Sequence, residues 1–183
     1  SPRPQGATAL MYDLSHVEVA RGPQGTLNGR NSTAGAVNLV SAAPSTAKFM
    51  GSAGITVGDY RHLQTQGMIN IPFSDDVALR IAAIKDSHDG TVDFRRGSNV
   101  MPGTAKYGAG DQMGVRASLL WKFTPQLRGT FIADYFLDQG AGNVYLAAEP
   151  KPGEKLRSAL IDTPGTLDQS ILTYKGKLNY KPT

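Results

Sequence analysis

The chain has 183 residues, no cysteine and a single tryptophan, with 19 Lys and Arg against 15 Asp and Glu for a net charge of +4. The missing thiols exclude a disulfide framework and any thiolate metal site, and a surplus of four cations is too small to argue for nucleic acid. No apolar run reaches the roughly 18 residues of a transmembrane helix, but a transmembrane β-strand needs only about 9–11 alternating residues and leaves little mark on a mean hydropathy of −0.27.

Residues 1–45 are rich in Gly, Pro and Asn, with short apolar bursts. The chain opens Ser1-Pro2-Arg3-Pro4, without an initiator Met or a signal peptide with an apolar core, so a processed chain or a fragment is expected. Val17 and Val19 alternate with His16 and Glu18, which predicts a short strand with one polar face. Pro23 presets φ while Gly22 and Gly25 open backbone angles closed to other residues, so a sharp reversal follows that strand.

From Phe49 onward the texture changes to long alternating runs. Phe49, Gly51, Ala53, Ile55 and Val57 share one parity, as do Leu63, Ile69, Ile71 and Phe73, and then Val77, Leu79, Ile81 and Ala83. Met113, Val115, Ala117, Leu119, Trp121 and Phe123 follow, then Leu127, Phe131, Ala133, Tyr135 and Leu137. In the last run the parity flips to Leu172, Tyr174, Leu178 and Tyr180. The opposite parities carry Gln64, Gln66, Asn70, Arg80, Arg116, Arg128, Asp134, Lys175 and Lys177. Period-two alternation predicts six strands, each with an apolar and a polar face. No helical period persists; Leu156 to Ile161 is the one place for a short helix, inside a loop.

These runs, about 9–12 residues, exceed the usual ~5–6 of globular strands and match a tilted strand crossing a bilayer. A large soluble antiparallel sheet with one wet face fits the alternation equally well. The connections break the tie. Ser74-Asp75-Asp76 and Thr124-Pro125-Gln126 read as tight turns, whereas 88–111 and 139–168 are long and polar. Short turns at one end and long loops at the other mark outer-membrane barrels. Phe73, Trp121, Phe123 and Tyr180, all beside the short turns, suit an aromatic girdle at one membrane interface.

The stretch His16-Val17-Glu18-Val19-Ala20-Arg21-Gly22-Pro23-Gln24-Gly25-Thr26-Leu27-Asn28-Gly29-Arg30-Asn31, with Gly35 and the strand that ends near Val40, closely resembles the end of the plug domain of TonB-dependent outer-membrane receptors. The motif match covers about residues 12–44, and the alternating runs resemble the first part of the family's barrel. Ala20, Asn28, Ala34 and Ser41-Ala42-Ala43-Pro44 depart from the family pattern, which puts local plug packing in doubt rather than the resemblance.

The resemblance implies an all-β chain: the C-terminal part of a plug over residues 1–45, then about six strands of a larger antiparallel transmembrane barrel over 46–183. The family's barrel has about 22 strands, so six cannot close it. Residues 88–111, 139–168 and the turn at Gly58 to Arg61 would face outside, and the two tight turns the periplasm. Glu18, Arg21, Gly22, Pro23, Gly25, Gly29, Arg30 and Gly35 carry the plug motif, and Glu18, Arg21 and Arg30 would bond a polar lumen wall supplied by the alternate residues named above. The implied function is energised uptake of a scarce nutrient such as a ferric siderophore, corrinoid or glycan. Its partners would be TonB, reached through a segment N-terminal to these residues, outer-membrane lipid and the nutrient, with no nucleic acid and no cofactor. A passive porin or adhesin barrel, or a soluble β-sheet binding module, is the alternative.

No chemistry competes with this reading. The Gly25 to Gly29 stretch lacks the Lys-Ser/Thr of a P-loop, and no helical pattern follows it. His16, His62 and His88 lack metal-ligand spacing, and Asp86, Asp89 and Asp93 lack the spacing and terminal Glu of a calcium loop. No Ser stands beside a plausible His base, so no catalytic residue is expected.

Overall fold

The computed structural model describes residues 11–22, 35–91, 93–94, 108–141, 158–159 and 167–182. Among these there are only strands and connections. A hairpin of β1 (Leu14–Arg21) and β2 (Gly35–Ser41) precedes β3 (Met50–Gly58), β4 (His62–Pro72), β5 (Val77–His88), β6 (Asp93–Phe94), β7 (Gly110–Lys122), β8 (Leu127–Asp138), β9 (Ser158–Ala159) and β10 (Gln169–Tyr180). The six long strands form one antiparallel sheet in the order β10-β8-β7-β5-β4-β3, and the sheet does not close. Each predicted run became a strand, with β7 and β10 beginning about three residues earlier than the apolar parity marks. The helix expected at Leu156 to Ile161 is corrected where it is described: Ser158 and Ala159 are extended and pair in parallel with Asp93 and Phe94.

The turn chemistry explains the hairpins. The Ser74 hydroxyl accepts from the backbone N–H of Asp76 and Val77 at 3.2 and 3.1 Å. The Thr124 hydroxyl does the same for Gln126 and Leu127 at 3.3 and 3.0 Å. Each side chain thus supplies acceptors that the short loop's backbone lacks. At the other end of the sheet, β3 turns into β4 through Tyr60 and Arg61, both left-handed at φ 58° and 52°. Two left-handed central residues match the twist of the flanking strands. The two long connections leave from this same end, laced at their bases by Asp89 N–H to Tyr60 O at 2.8 Å and Ala141 N–H to Ala109 O at 2.8 Å.

The register puts Ile69 beside Ile81, Ile81 beside Ala117, Leu119 beside Phe131 and Ala133 beside Tyr174 on one face. That face carries exposed Ile55, Val57, Trp121, Phe131, Leu172, Tyr174 and Leu178. The opposite face receives the chain's few buried groups. Tyr12, Ala82 and Ile84 form the core cluster with Met68 beside it, and Asn70, Arg80 and Ser118 are buried polar residues of the same face. The sheet is therefore covered on its polar side over β4, β5 and β7, while its apolar side carries the exposed large residues, the inverse of a soluble one-layer sheet.

Candidate functional site: the covered polar wall

All nine polar residues singled out in sequence fall on one face. Gln64 stands opposite Asp86, Gln66 opposite Ile84, and Asn70 opposite Arg80. Arg80 stands opposite Ser118, Arg116 opposite Asp134, and Lys122 opposite Arg128. Lys175 and Lys177 pair with Ile132 and Thr130 on that face. The segment that covers it comes from the N-terminal side of β1.

Asp13 is the main anchor. Its left-handed backbone (φ 50°) turns the chain toward the wall, and its carbonyl accepts from Ala42 N–H at 2.9 Å, so both ends of the hairpin are tied there. The carboxylate takes two hydrogen bonds from Arg80, one of them from Nε at 2.8 Å and the other from Nη2. The two side chains are only 9% and 7% exposed, so the pair is desolvated. A planar guanidinium fork matches a carboxylate in both distance and direction.

Tyr12 packs next to it. Its ring lies over Arg116, with the guanidinium carbon 4.9 Å from the ring centroid. Arg116 Nε donates to Asp134 at 2.6 Å, while its Nη1 is buried with no hydrogen-bond partner among the described residues. The aromatic face is the electron-rich surface left to that cation. Gly114 makes the close approach possible: a Cβ there would sit 3.0 Å from the Tyr12 ring. Burial pushes the Tyr12 hydroxyl above its ordinary range, with Arg116 opposing and Asp134 and Asp13 reinforcing the shift.

Asn70 is fully buried and fixes the connection that follows β2. Its Oδ1 accepts from Ser45 N–H at 2.9 Å, and its amide donates to Ser45 O at 2.9 Å and Lys48 O at 3.0 Å. The connection leading into β3 is thus stapled to the same wall as Tyr12 and Asp13.

The motif residues fare differently. The charged bond expected from Glu18 to the wall is corrected: its carboxylate accepts from Asn38 at 2.8 Å and pairs with His16 at 3.1 Å, inside the hairpin. Those two bonds, Asn38 first, hold its carboxyl below the usual range. Wall residue Arg80 is met by Asp13. Gly22 is left-handed at φ 83°, as the reversal requires. At Gly35, φ is 135° and a Cβ would lie 2.5 Å from Ala20 O, so only glycine fits beside β1. Arg21 ends β1 opposite Gly35. Pro23, Gly25, Gly29 and Arg30 lie outside the described residues. Trp121 and Phe123 stack at 5.0 Å between ring centroids, and Tyr180 pairs with Leu127 beside the same turn; Phe73 follows β4 at that end of the sheet.

Tyr12 and Asp13 were missed in sequence. Asp13 had a signal: an acid immediately before the motif strand, able to meet the one arginine of the 77–83 run. Among the described residues no three His, Asp or Glu side chains gather to hold a metal ion. What the arrangement does chemically is hold a chain segment through charge, a cation–ring contact and backbone capture. No family model matches the chain.

Proposed function

We propose that this chain is a segment of a TonB-dependent outer-membrane receptor, with residues 1–45 the end of its plug and 46–183 the start of its barrel, and that the protein imports a scarce nutrient such as a ferric siderophore, corrinoid or glycan. The observation that carries the proposal is the inverted sheet: its polar face is gripped by Tyr12 and Asp13 while its apolar face stays bare. Six strands at their usual spacing give a face of roughly 24 by 35 Å, about 800 Å², well above the few hundred Å² that soluble monomers expose in one patch. Lipid is the natural cover for such a surface.

Dimensions support the same reading. On β7, Trp121 stands beside the tight turn and Asp111 pairs with Lys85 toward the long-loop end. Ten residues separate Trp121 from Asp111, about 33 Å along the strand and about 25 Å when the strand is tilted by ~40°, the height of an outer-membrane apolar band. Aromatic rings at one boundary and an ion pair at the other suit the two interfaces.

In this reading TonB pulls on the plug, and the Tyr12–Asp13 grip belongs to the interface that must yield or hold. A polar interface suits the task, because water replaces its broken hydrogen bonds. The test is to lock it. In the whole protein, Asp13→Cys with Arg80→Cys should take up nutrient before treatment, lose uptake when a short bis(methanethiosulfonate) cross-linker joins the two thiols through disulfides with loss of two methanesulfinates, and regain it on reduction. Undiminished uptake in the cross-linked protein overturns the proposal.

A further inference from the structure

The polar face is not uniform along the strands. Toward the long connections its carboxylates are engaged: Asp86 by His62 and Gln64, Asp134 by Arg116, Asp138 by Gln112, and Asp13 by Arg80 nearer the middle. Toward the tight turns the character reverses. Lys122 and Arg128 stand opposite each other, Arg128 stands opposite Asn179, and Lys181 follows β10 with its N–H bonded to Gln126 O at 2.9 Å. Together they line a pocket of about 590 Å³ floored by the Phe123-Thr124-Pro125 turn, in which Asp76 is the one carboxylate. Lys175 and Lys177 continue the cationic strip along β10.

None of these cations forms an ion pair among the described residues. The Arg and Lys ion pairs among the described residues engage Arg61, Arg80, Lys85 and Arg116, all elsewhere. Lys122 Nζ donates to two neutral acceptors, Thr46 Oγ1 at 3.1 Å and the main-chain oxygen of Asp75 at 2.6 Å. Among the described residues, Asp76 is the one carboxylate that lines this pocket.

We infer that this pocket is an anion-binding site for a small molecule carrying at least two phosphate or carboxylate groups. Lys122 of β7, Arg128 of β8 and Lys181 just after β10 converge on one concavity, which suits a compact multivalent oxyanion. The Arg128 fork supplies paired donors, and Lys122 and Lys181 supply point charges on either side. The inference does not rest on the receptor reading, which concerns the apolar face; a protein that bound the anion yet stayed out of lipid would keep this site and lose that function.

The probe is inorganic pyrophosphate, titrated calorimetrically at low salt into the protein that carries this chain, purified in non-ionic detergent. One site is expected, weakening as salt rises. Arg128→Gln and Lys181→Gln should each weaken it by roughly tenfold, the size of one lost charge-assisted contact. Arg128→Lys should recover part of the loss, and Lys85→Gln on the opposite face should change nothing. Both Arg128 and Lys181 are exposed, so the substitutions leave the sheet intact. Absence of pyrophosphate binding, or binding indifferent to both substitutions, overturns the inference. So does a hexaglutamate peptide that binds where pyrophosphate does not, since the strip would then serve a polypeptide.

Discussion

Arg80 and Asp13 are each less than 10% exposed, so removing one leaves the other charge desolvated and unpaired. Asp13→Ala should cost roughly 3–5 kcal/mol of the local docking free energy, and Asp13→Ala with Arg80→Met less than the sum of the two single changes. Amide exchange of the residues around Asp13, which speeds up when the segment lifts off, reads both. Tyr12 adds a pH dependence whose sign follows from its raised hydroxyl. The docked state keeps the proton to higher pH than the free chain does. Tyr12 therefore contributes fully below the ordinary tyrosine range, and its contribution is lost as pH rises through the raised value. Exchange near Asp13 should accelerate on that alkaline limb, and Tyr12→Phe should remove the step. Glu18 runs the other way. Its lowered carboxyl supports the hairpin above the ordinary glutamate range and loses that support as pH falls, a dependence that Glu18→Gln should abolish.

Among the elements, the β3–β4 turn is the strained one. Tyr60 and Arg61 hold left-handed angles that favour Asn and Gly, at a cost of about 1 kcal/mol or more each. Tyr60→Asn with Arg61→Gly should relieve that cost while giving up the Arg61–Asp89 pair, which is exposed and screened by water. A net gain of roughly 1 kcal/mol should appear as a higher urea midpoint in detergent. The elements were the legible part of this chain. A period of two over many residues leaves one secondary structure to choose, and Ser74 and Thr124 announce their turns by residue type. The site was legible by half. Which side chains share the polar face follows from parity alone, because every strand keeps its register without a bulge from β3 to β10. Which residue meets Arg80 does not follow, because the hairpin's docking depends on the left-handed backbone at Asp13 and on the bare backbone of Gly114 beneath Tyr12. Glu18, expected from the motif to bond the wall, bonds Asn38 across its own hairpin, a local contact that needs no docking.

At the scale of the whole molecule, the sheet has two unsatisfied surfaces, its apolar face and its open edges at β3 and β10. The edges expose backbone donors and acceptors, which lipid cannot satisfy, so the lipid-facing state requires further strands to close the sheet. The apolar face is testable directly because the chain has one tryptophan. Trp121 is half-exposed on that face, beside the tight turn and stacked on Phe123. If the face meets hydrocarbon, Trp121 sits near the head groups and not at the bilayer centre. With the protein in brominated-lipid bilayers, its fluorescence should be quenched most by bromine placed near the carbonyl end of the acyl chain and less by bromine near the methyl end. A tryptophan placed at Ala133, about halfway along the same face, in a Trp121→Phe background should show the reverse order. The pair of depths fixes which side of the sheet meets lipid and shows that the strands cross the bilayer. Equal quenching at both depths, or none, would mean that the apolar face is covered by protein.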